Sequence, residues 1–303
     1  MRVRTLPDAV GDTDNSRMGG RNLLVIGSQC ARFQELSFLP DVAAKLYEAM
    51  TDPERGACRP ALDPSGLVTD PTVADAKMAI RKAFELAAKD EATLLLVVIG
   101  HGEQVAEDGD FYILPTDAGD PPDDETALNI VNLVKGLRRR YETDGLVVLV
   151  DTCYSGTGVV AAGKAWPSMG LGEFRFEFLA AAADRSAFDG CFSKSLTQWV
   201  QKGMSDGAGD LRCEAVRRAL KDRCPNQWPT HLYFQGDEGL FLAHNVAPEV
   251  RRNPVAGTPA ADTAERLTTW FQPTGELERV VEFSERHPLV AVVGDAGYST
   301  AGS

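Results

Sequence analysis

Two stretches of the chain end in residues that can do nucleophilic chemistry. Leu146–Val150 reads Leu-Val-Val-Leu-Val and runs into Asp151-Thr152-Cys153-Tyr154-Ser155-Gly156. Leu94–Gly100 reads Leu-Leu-Leu-Val-Val-Ile-Gly and runs into His101-Gly102. A cysteine attacks as its thiolate, and an imidazole is the usual group that takes or shares the proton. The chain has four histidines. His101 alone shares the situation of Cys153, just past a buried apolar run and followed by a small-residue turn. His231 and His244 flank short strands, where packing or loop hydrogen bonds are expected, and His287 precedes a proline in the tail. Singly, each residue has a bland reading, as a strand-end histidine and a buried thiol. Their matched positions favour the joint one.

The elements that must position this pair follow from the hydrophobic pattern. Short, continuous apolar runs bounded by turn residues read as strands buried on both faces of a parallel sheet. Leu23–Gly27, Leu94–Gly100 and Leu146–Val150 are three of these, and Phe174–Ala183 is a fourth. Helical spacing marks residues 41–51, a second helix opening at Asp70-Pro71, a third over 126–141, and two more around 192–200 and 211–221. A short strand is expected near Cys58–Leu62, a hairpin over 104–115, and closing strands at 232–234 and 240–242. The Gly- and Ala-rich segment 159–173 reads as a mobile loop. Strands alternating with helices give an α/β fold with a mostly parallel central sheet sandwiched by helices. Residues 1–20 form a polar lead-in, 21–245 the domain itself, and 246–303 a Pro- and Ala-rich linker with a further segment.

Composition limits the function classes. With 31 basic against 44 acidic residues the chain carries a net charge of −13, which argues against a nucleic-acid partner and mildly favours a cationic one, the plainer reading of the acidity being solubility alone. No apolar run reaches the ~18–20 residues of a bilayer span, and the N-terminus has no signal-peptide core, so no membrane partner and a cytoplasmic location are expected. Six cysteines without a C-x-x-C pair predict thiols rather than a disulfide frame or a zinc site. A phosphatase reading needs arginine six residues after the cysteine, and Val159 stands there.

The two catalytic-looking strands resemble those of the caspase-like cysteine peptidases, most closely the bacterial metacaspase or orthocaspase type. The separation of His101 and Cys153 fits the spacing of roughly 50 residues that caspases show. The resemblance covers about residues 21–245 and is specific at the two strands. It implies a caspase-hemoglobinase fold and a His101–Cys153 dyad, with the backbone N–H groups of Gly102 and Cys153 as oxyanion hole. It implies no cofactor and no metal. Calcium, which some metacaspases need, finds no EF-hand pattern among the carboxylates of 117–125. Asp151 stands two residues before the nucleophile, as in metacaspases, which implies cleavage of protein or peptide substrates after Arg or Lys. The plainer reading is that Asp151 caps the turn after its strand. Asp41 is a second, looser candidate for the same pocket, and Asp184 a weaker one. Lys164 and Arg175 are candidate self-cleavage sites. Gly294-Asp295-Ala296-Gly297 looks like the start of a P-loop from a signal-transduction NTPase, but the lysine of G-x-x-x-x-G-K-[ST] is missing, so ATP binding is not expected. The resemblance therefore implies a peptidase governed by an NTPase or sensor module. A catalytically silent caspase-like scaffold is the alternative.

Overall fold

The computed structural model describes residues 20–105, 110–165, 174–182, 189–205, 209–225, 227–234 and 240–247. The chain divides into two units, Met1–Val250 and Arg251–Ser303. The second, with the P-loop-like segment, lies outside the described residues, as does the lead-in before Gly20.

The first unit is built on one sheet. Strands β1 (Arg21–Ser28), β4 (Thr93–Gln104), β6 (Gly145–Asp151) and β7 (Arg175–Ala180) run parallel at its centre. The short strands β2 (Arg59–Pro60) and β3 (Leu67–Thr69) add to β1, and β9 (Thr230–Phe234) closes the far edge antiparallel to β7. The order is β2-β1-β4-β6-β7-β9, with β5 (Phe111–Leu114) folded back antiparallel on the end of β4. This is the α/β architecture with a mostly parallel, helix-sandwiched sheet that the sequence pattern predicts.

Successive strand side chains point to opposite faces, and the core divides accordingly. Leu24, Ile26, Leu96, Val98, Val148, Val150 and Phe178 pack on one face against α2 (Val73–Lys89), α3 (Ile130–Arg138) and α4 (Ser155–Ala165). Leu23, Val25, Leu95, Val97, Val147, Leu149 and Leu179 pack on the other against α1 (Leu39–Thr51), α5 (Cys191–Lys202) and α6 (Cys213–Arg223). Both faces of the central strands are therefore dry, which is why they read as unbroken apolar runs. No helix among the described residues is long and apolar enough to cross a membrane.

Several local expectations are corrected. The second helix is capped by Thr72, which accepts from Asp75 N–H at 3.1 Å and donates to its carboxylate at 2.7 Å. Asp70 instead turns the chain with φ 46° and accepts from Gln29 N–H. The front of the supposed mobile loop is helix α4, whose buried Val159 and Ala162 pack on the sheet, and that tertiary packing overrides its glycines. Residues 240–242 form no hairpin with β9. Leu240 and Leu242 are buried in coil, and β10 (Ala243–His244) pairs with β8 (Asp210–Leu211) in a separate two-stranded sheet. Arg21 ties this closing segment to the first strand, donating to Leu242 O at 2.8 Å and Gly56 O at 2.6 Å and lying over the Phe241 ring.

The expectation of six thiols also fails. Cys191, the first residue of α5, is bonded to Cys224, the C-cap of α6. The partners are 33 residues apart in sequence, so only the packing of the two helices brings them together. Closing a loop of that length restricts the unfolded chain by about 3–4 kcal/mol in the chain-entropy account. Replacing both cysteines with serine should lower unfolding stability by about 2–4 kcal/mol relative to the oxidised chain in urea titrations. An unchanged midpoint would show that the bridge contributes nothing.

Candidate active site

The two candidate stretches lie side by side. Strands β4 and β6 pair in parallel from Thr93↔Gly145 to Ile99↔Asp151. Continuing that register by two residues sets His101 beside Cys153, at the carboxyl end of the sheet, where open α/β sheets gather their chemistry. The approach is close. A Cβ added to Gly102 would lie 2.5 Å from Cys153 O and 2.5 Å from Thr152 Oγ1, so only glycine fits there.

Gly102 also has a directed N–H. It pairs with Ile113 of β5, whose N–H and C=O are both spent on Leu128 at 3.0 Å. Antiparallel pairs alternate between hydrogen-bonded and open ones, so the Gly102–Ile113 pair is open. The Gly102 N–H thus points away from β5, on the flank where the carbonyl of Cys153 approaches.

Cys153 occupies a sharp strand-to-helix turn. Strand β6 stops at Asp151 and α4 starts at Ser155, with Tyr154 in the left-handed region at φ 58°. A non-glycine residue there costs about 1–3 kcal/mol, and the surroundings hold it. Buried Ser155 accepts from Ala182 N–H through Oγ at 3.3 Å, and Gly156 N–H donates to Ala182 O at 2.5 Å. The turn leaves the thiol half-buried, ahead of a helix N-terminus whose partial positive charge favours an anion. Cys30, Cys58 and Cys213 are buried by contrast. Burial raises the Cys58 thiol to about 11 and, together with Glu177, lifts that of Cys213 well above the usual range.

The His101 ring is half-buried, and Phe33 stacks on it with centroids 5.1 Å apart. Burial lowers its pKa, opposed by a hydrogen bond to the backbone of Gln34. Nε2 is buried without a hydrogen-bond partner among the described residues. Sequence reasoning missed Phe33 and Gln34, because no local signal ties the loop after β1 to the end of β4.

Asp151 is 3% exposed and faces α5. Ser193 donates to its Oδ2 through N–H at 3.0 Å and O–H at 2.7 Å, while Oδ1 is buried with no partner among the described residues. It caps the start of a distant helix, rather than the turn after its own strand. Burial raises its pKa, against the hydrogen bonds from Ser193 and the charge of Lys194.

The other predicted positions stand apart. Asp41 is in the first turn of α1, with a carboxylate 66% exposed and paired to Lys45 at 2.8 Å. It is a solvent-face ion pair and not a partner of the buried acid. Lys164 is in the last turn of helix α4, and Arg175 opens β7 and is ion-paired with Asp144. Neither is in a loop, and Asp184 lies outside the described residues.

No protein-family model and no curated protein matches the chain. Among the solved structures that match is the crystal structure of the Drosophila initiator caspase Dronc. It is 9% identical, covers 72% of this chain and 80% of that one, and superposes with a TM-score of 0.46. At that identity no residue role passes from one chain to the other.

The exposures of the thiols give a direct test. Brief treatment of the native, unreduced protein with iodoacetamide should alkylate Cys153 at least roughly tenfold faster than Cys30, Cys58 or Cys213, read by peptide mapping. Prior labelling of Cys30 or Cys213 would refute this description of the turn.

Proposed function

We propose that the protein is a cysteine endopeptidase that cleaves after Arg or Lys. The observation that carries this reading is the meeting of His101-Gly102 and Cys153 at the ends of adjacent parallel strands, with a backbone N–H aimed across the gap. In this reading His101 takes the thiol proton as Cys153 Sγ attacks the scissile carbonyl. The oxyanion is held by the N–H groups of Gly102 and Cys153. His101 passes a proton to the leaving amine, and then takes one from the water that releases the acyl group. The residue pattern shared with caspase-like peptidases supports the same assignment. No metal or organic cofactor enters these steps.

Asp151 is the basis for the specificity. Its Oδ2 is committed to Ser193, and its Oδ1 is buried without a partner among the described residues. A guanidinium or ammonium group reaching Oδ1 would complete its hydrogen bonding and neutralise its charge. The acidic chain suits a cationic substrate. A cytoplasmic setting, control by a partner NTPase or sensor module and self-cleavage near Lys164 or Arg175 belong to the same reading. Cutting at either residue requires local unfolding, since both lie in regular elements.

Fluorogenic peptides that vary only the residue before the cut test this reading. Wild type should cleave after Arg and Lys, and Cys153→Ala should lose at least about 10³-fold in kcat/KM. Asp151→Asn should lose basic-site cleavage while keeping the fold. Cleavage after Asp but not Arg would overturn the specificity, and cysteine-independent or absent cleavage would favour the silent scaffold.

The raised pKa of Asp151 sets a pH dependence. An acid whose folded pKa exceeds its unfolded value holds its proton more tightly when folded, so ionising it costs stability as pH rises. Asp151→Asn should therefore be no less stable than wild type at pH 8, to within about 1 kcal/mol. In wild type, acidification protonates Asp151 before ordinary carboxylates, so KM for Arg substrates should rise as pH falls from neutrality. A KM that stays flat down to the ordinary carboxylate range near 4 would contradict it.

A further inference from the structure

A second cluster of reactive side chains lies away from the Cys153 turn. Glu177 is in the middle of β7, 1% exposed, on the same face as Leu179. His231 is on the edge strand β9, opposite Leu179 and two pairs along from Glu177, on the same face. Cys213 is the first residue of α6 and is also 1% exposed. One donor atom from each lies within 4.8 Å of the others, and His231 Nε2 stands 3.1 Å from Glu177 Oε2.

We infer that Glu177, Cys213 and His231 bind one divalent cation of the zinc class. The donor set of one sulfur, one imidazole nitrogen and one carboxylate oxygen suits a borderline metal, where calcium and magnesium take oxygen alone. The surrounding shell fits as well. The other ring nitrogen, Nδ1, faces Glu214 Oε2 at 3.4 Å, and Glu214 is in turn gripped by Arg217 through two hydrogen bonds of 2.8 Å. A carboxylate behind a histidine fixes the ring and its tautomer, leaving Nε2 to coordinate. Charge balance points the same way. A divalent ion with one carboxylate and one thiolate forms a neutral set, which suits a buried site. On binding, the Cys213 thiol gives its proton to solvent as the sulfur–metal bond forms. Water fills the fourth tetrahedral position.

Burial excludes the obvious competitor, a second nucleophilic triad, because no peptide reaches a cysteine 1% exposed. The inference is independent of the peptidase reading. It assigns the ion a structural task, joining α6 and the edge strand to β7 at the start of a helix whose other end is bridged to α5.

The experiment uses the full chain carrying Cys153→Ala, so that the half-buried thiol cannot be the ligand. Chelator-treated protein is titrated with zinc in competition with a chromophoric chelator, and with cobalt as a spectroscopic probe. One equivalent of metal per chain, a near-ultraviolet thiolate-to-cobalt band and a raised unfolding temperature are expected. Adding Cys213→Ser should abolish the band and weaken zinc at least about 100-fold, and Glu214→Gln should weaken it about 10–100-fold. Failure of the Cys153→Ala chain to take up stoichiometric zinc would overturn the inference. So would a cobalt band that survives in Cys213→Ser. The wild-type ligand set thus decides the matter even if one variant fails to fold.

Discussion

Everything at the top of this sheet depends on how its central strands are fixed at the bottom. Strands β4 and β6 are apolar on both faces, so their alternation alone gives little reason to prefer one register over a slip. A polar clamp at the strand starts supplies that reason. Asp144, just before β6, accepts from Thr93 Oγ1 at 2.9 Å and is ion-paired with Arg175 at the start of β7. One carboxylate thereby aligns three parallel strands. Gly145 allows the contact, since a Cβ there would lie 3.1 Å from Thr93 Oγ1 and closer still to Leu240. From this edge each strand advances about 3.3 Å per residue, so the alignment at Thr93 and Gly145 carries over about 26 Å to the ends where His101 and Cys153 stand. A slip by one residue would put Gly102 or Gly100 where the imidazole now stands.

Asp151 lies where stability and chemistry make opposite demands. As a helix-start acceptor for Ser193 it helps hold α5 on the sheet, a favourable use of a carboxylate at a positive helix end. A purely structural cap would be cheaper at the surface or as an uncharged side chain. Here the group is buried, its pKa is raised, and one oxygen has no partner among the described residues. A local rule broken without local compensation is the usual mark of a functional site. The left-handed Tyr154, three residues on, is a second such departure. Both flank the half-buried cysteine.

The parts of this molecule legible in the sequence are those whose cause is local. Leu94–Gly100 and Leu146–Val150 announce strands because both faces are buried, and the residues just past them announce the candidate pair. Helix α1 shows in Val42, Leu46 and Met50, and all three are buried. What stayed hidden depends on contacts made across the fold. Ser193 meets Asp151 from 42 residues away, and nothing near Ser193 marks it. Cys191 and Cys224 carry no spacing signal, and neither do Glu177, Cys213 and His231, which come from two strands and a helix. Helix α4 was masked by its own composition, because glycines among alanines read as a loop until buried Val159 and Ala162 place its inner face against the sheet.

The loop after β1 shows how the sheet edge governs the imidazole. Gln29 closes the loop on itself, donating to Leu36 O and accepting from Leu36 N–H, both at 2.9 Å. Its own N–H is held by Asp70, the residue whose left-handed turn ends β3. Arg32 then fixes the crown, bonding Gly119 O and pairing with Glu103 and with Asp120 at 2.9 Å. With both base and crown tied, Phe33 is set over His101 and the Gln34 backbone meets the ring. These two contacts act in opposite senses. The stacked phenyl excludes water and favours the neutral imidazole, while the backbone acceptor favours the cation. Burial wins here, so the loop biases His101 towards the base form. The proton affinity of the histidine is thus set by a surface loop about 70 residues earlier in the chain, and anything that lifts Phe33 changes it without touching His101 or Cys153.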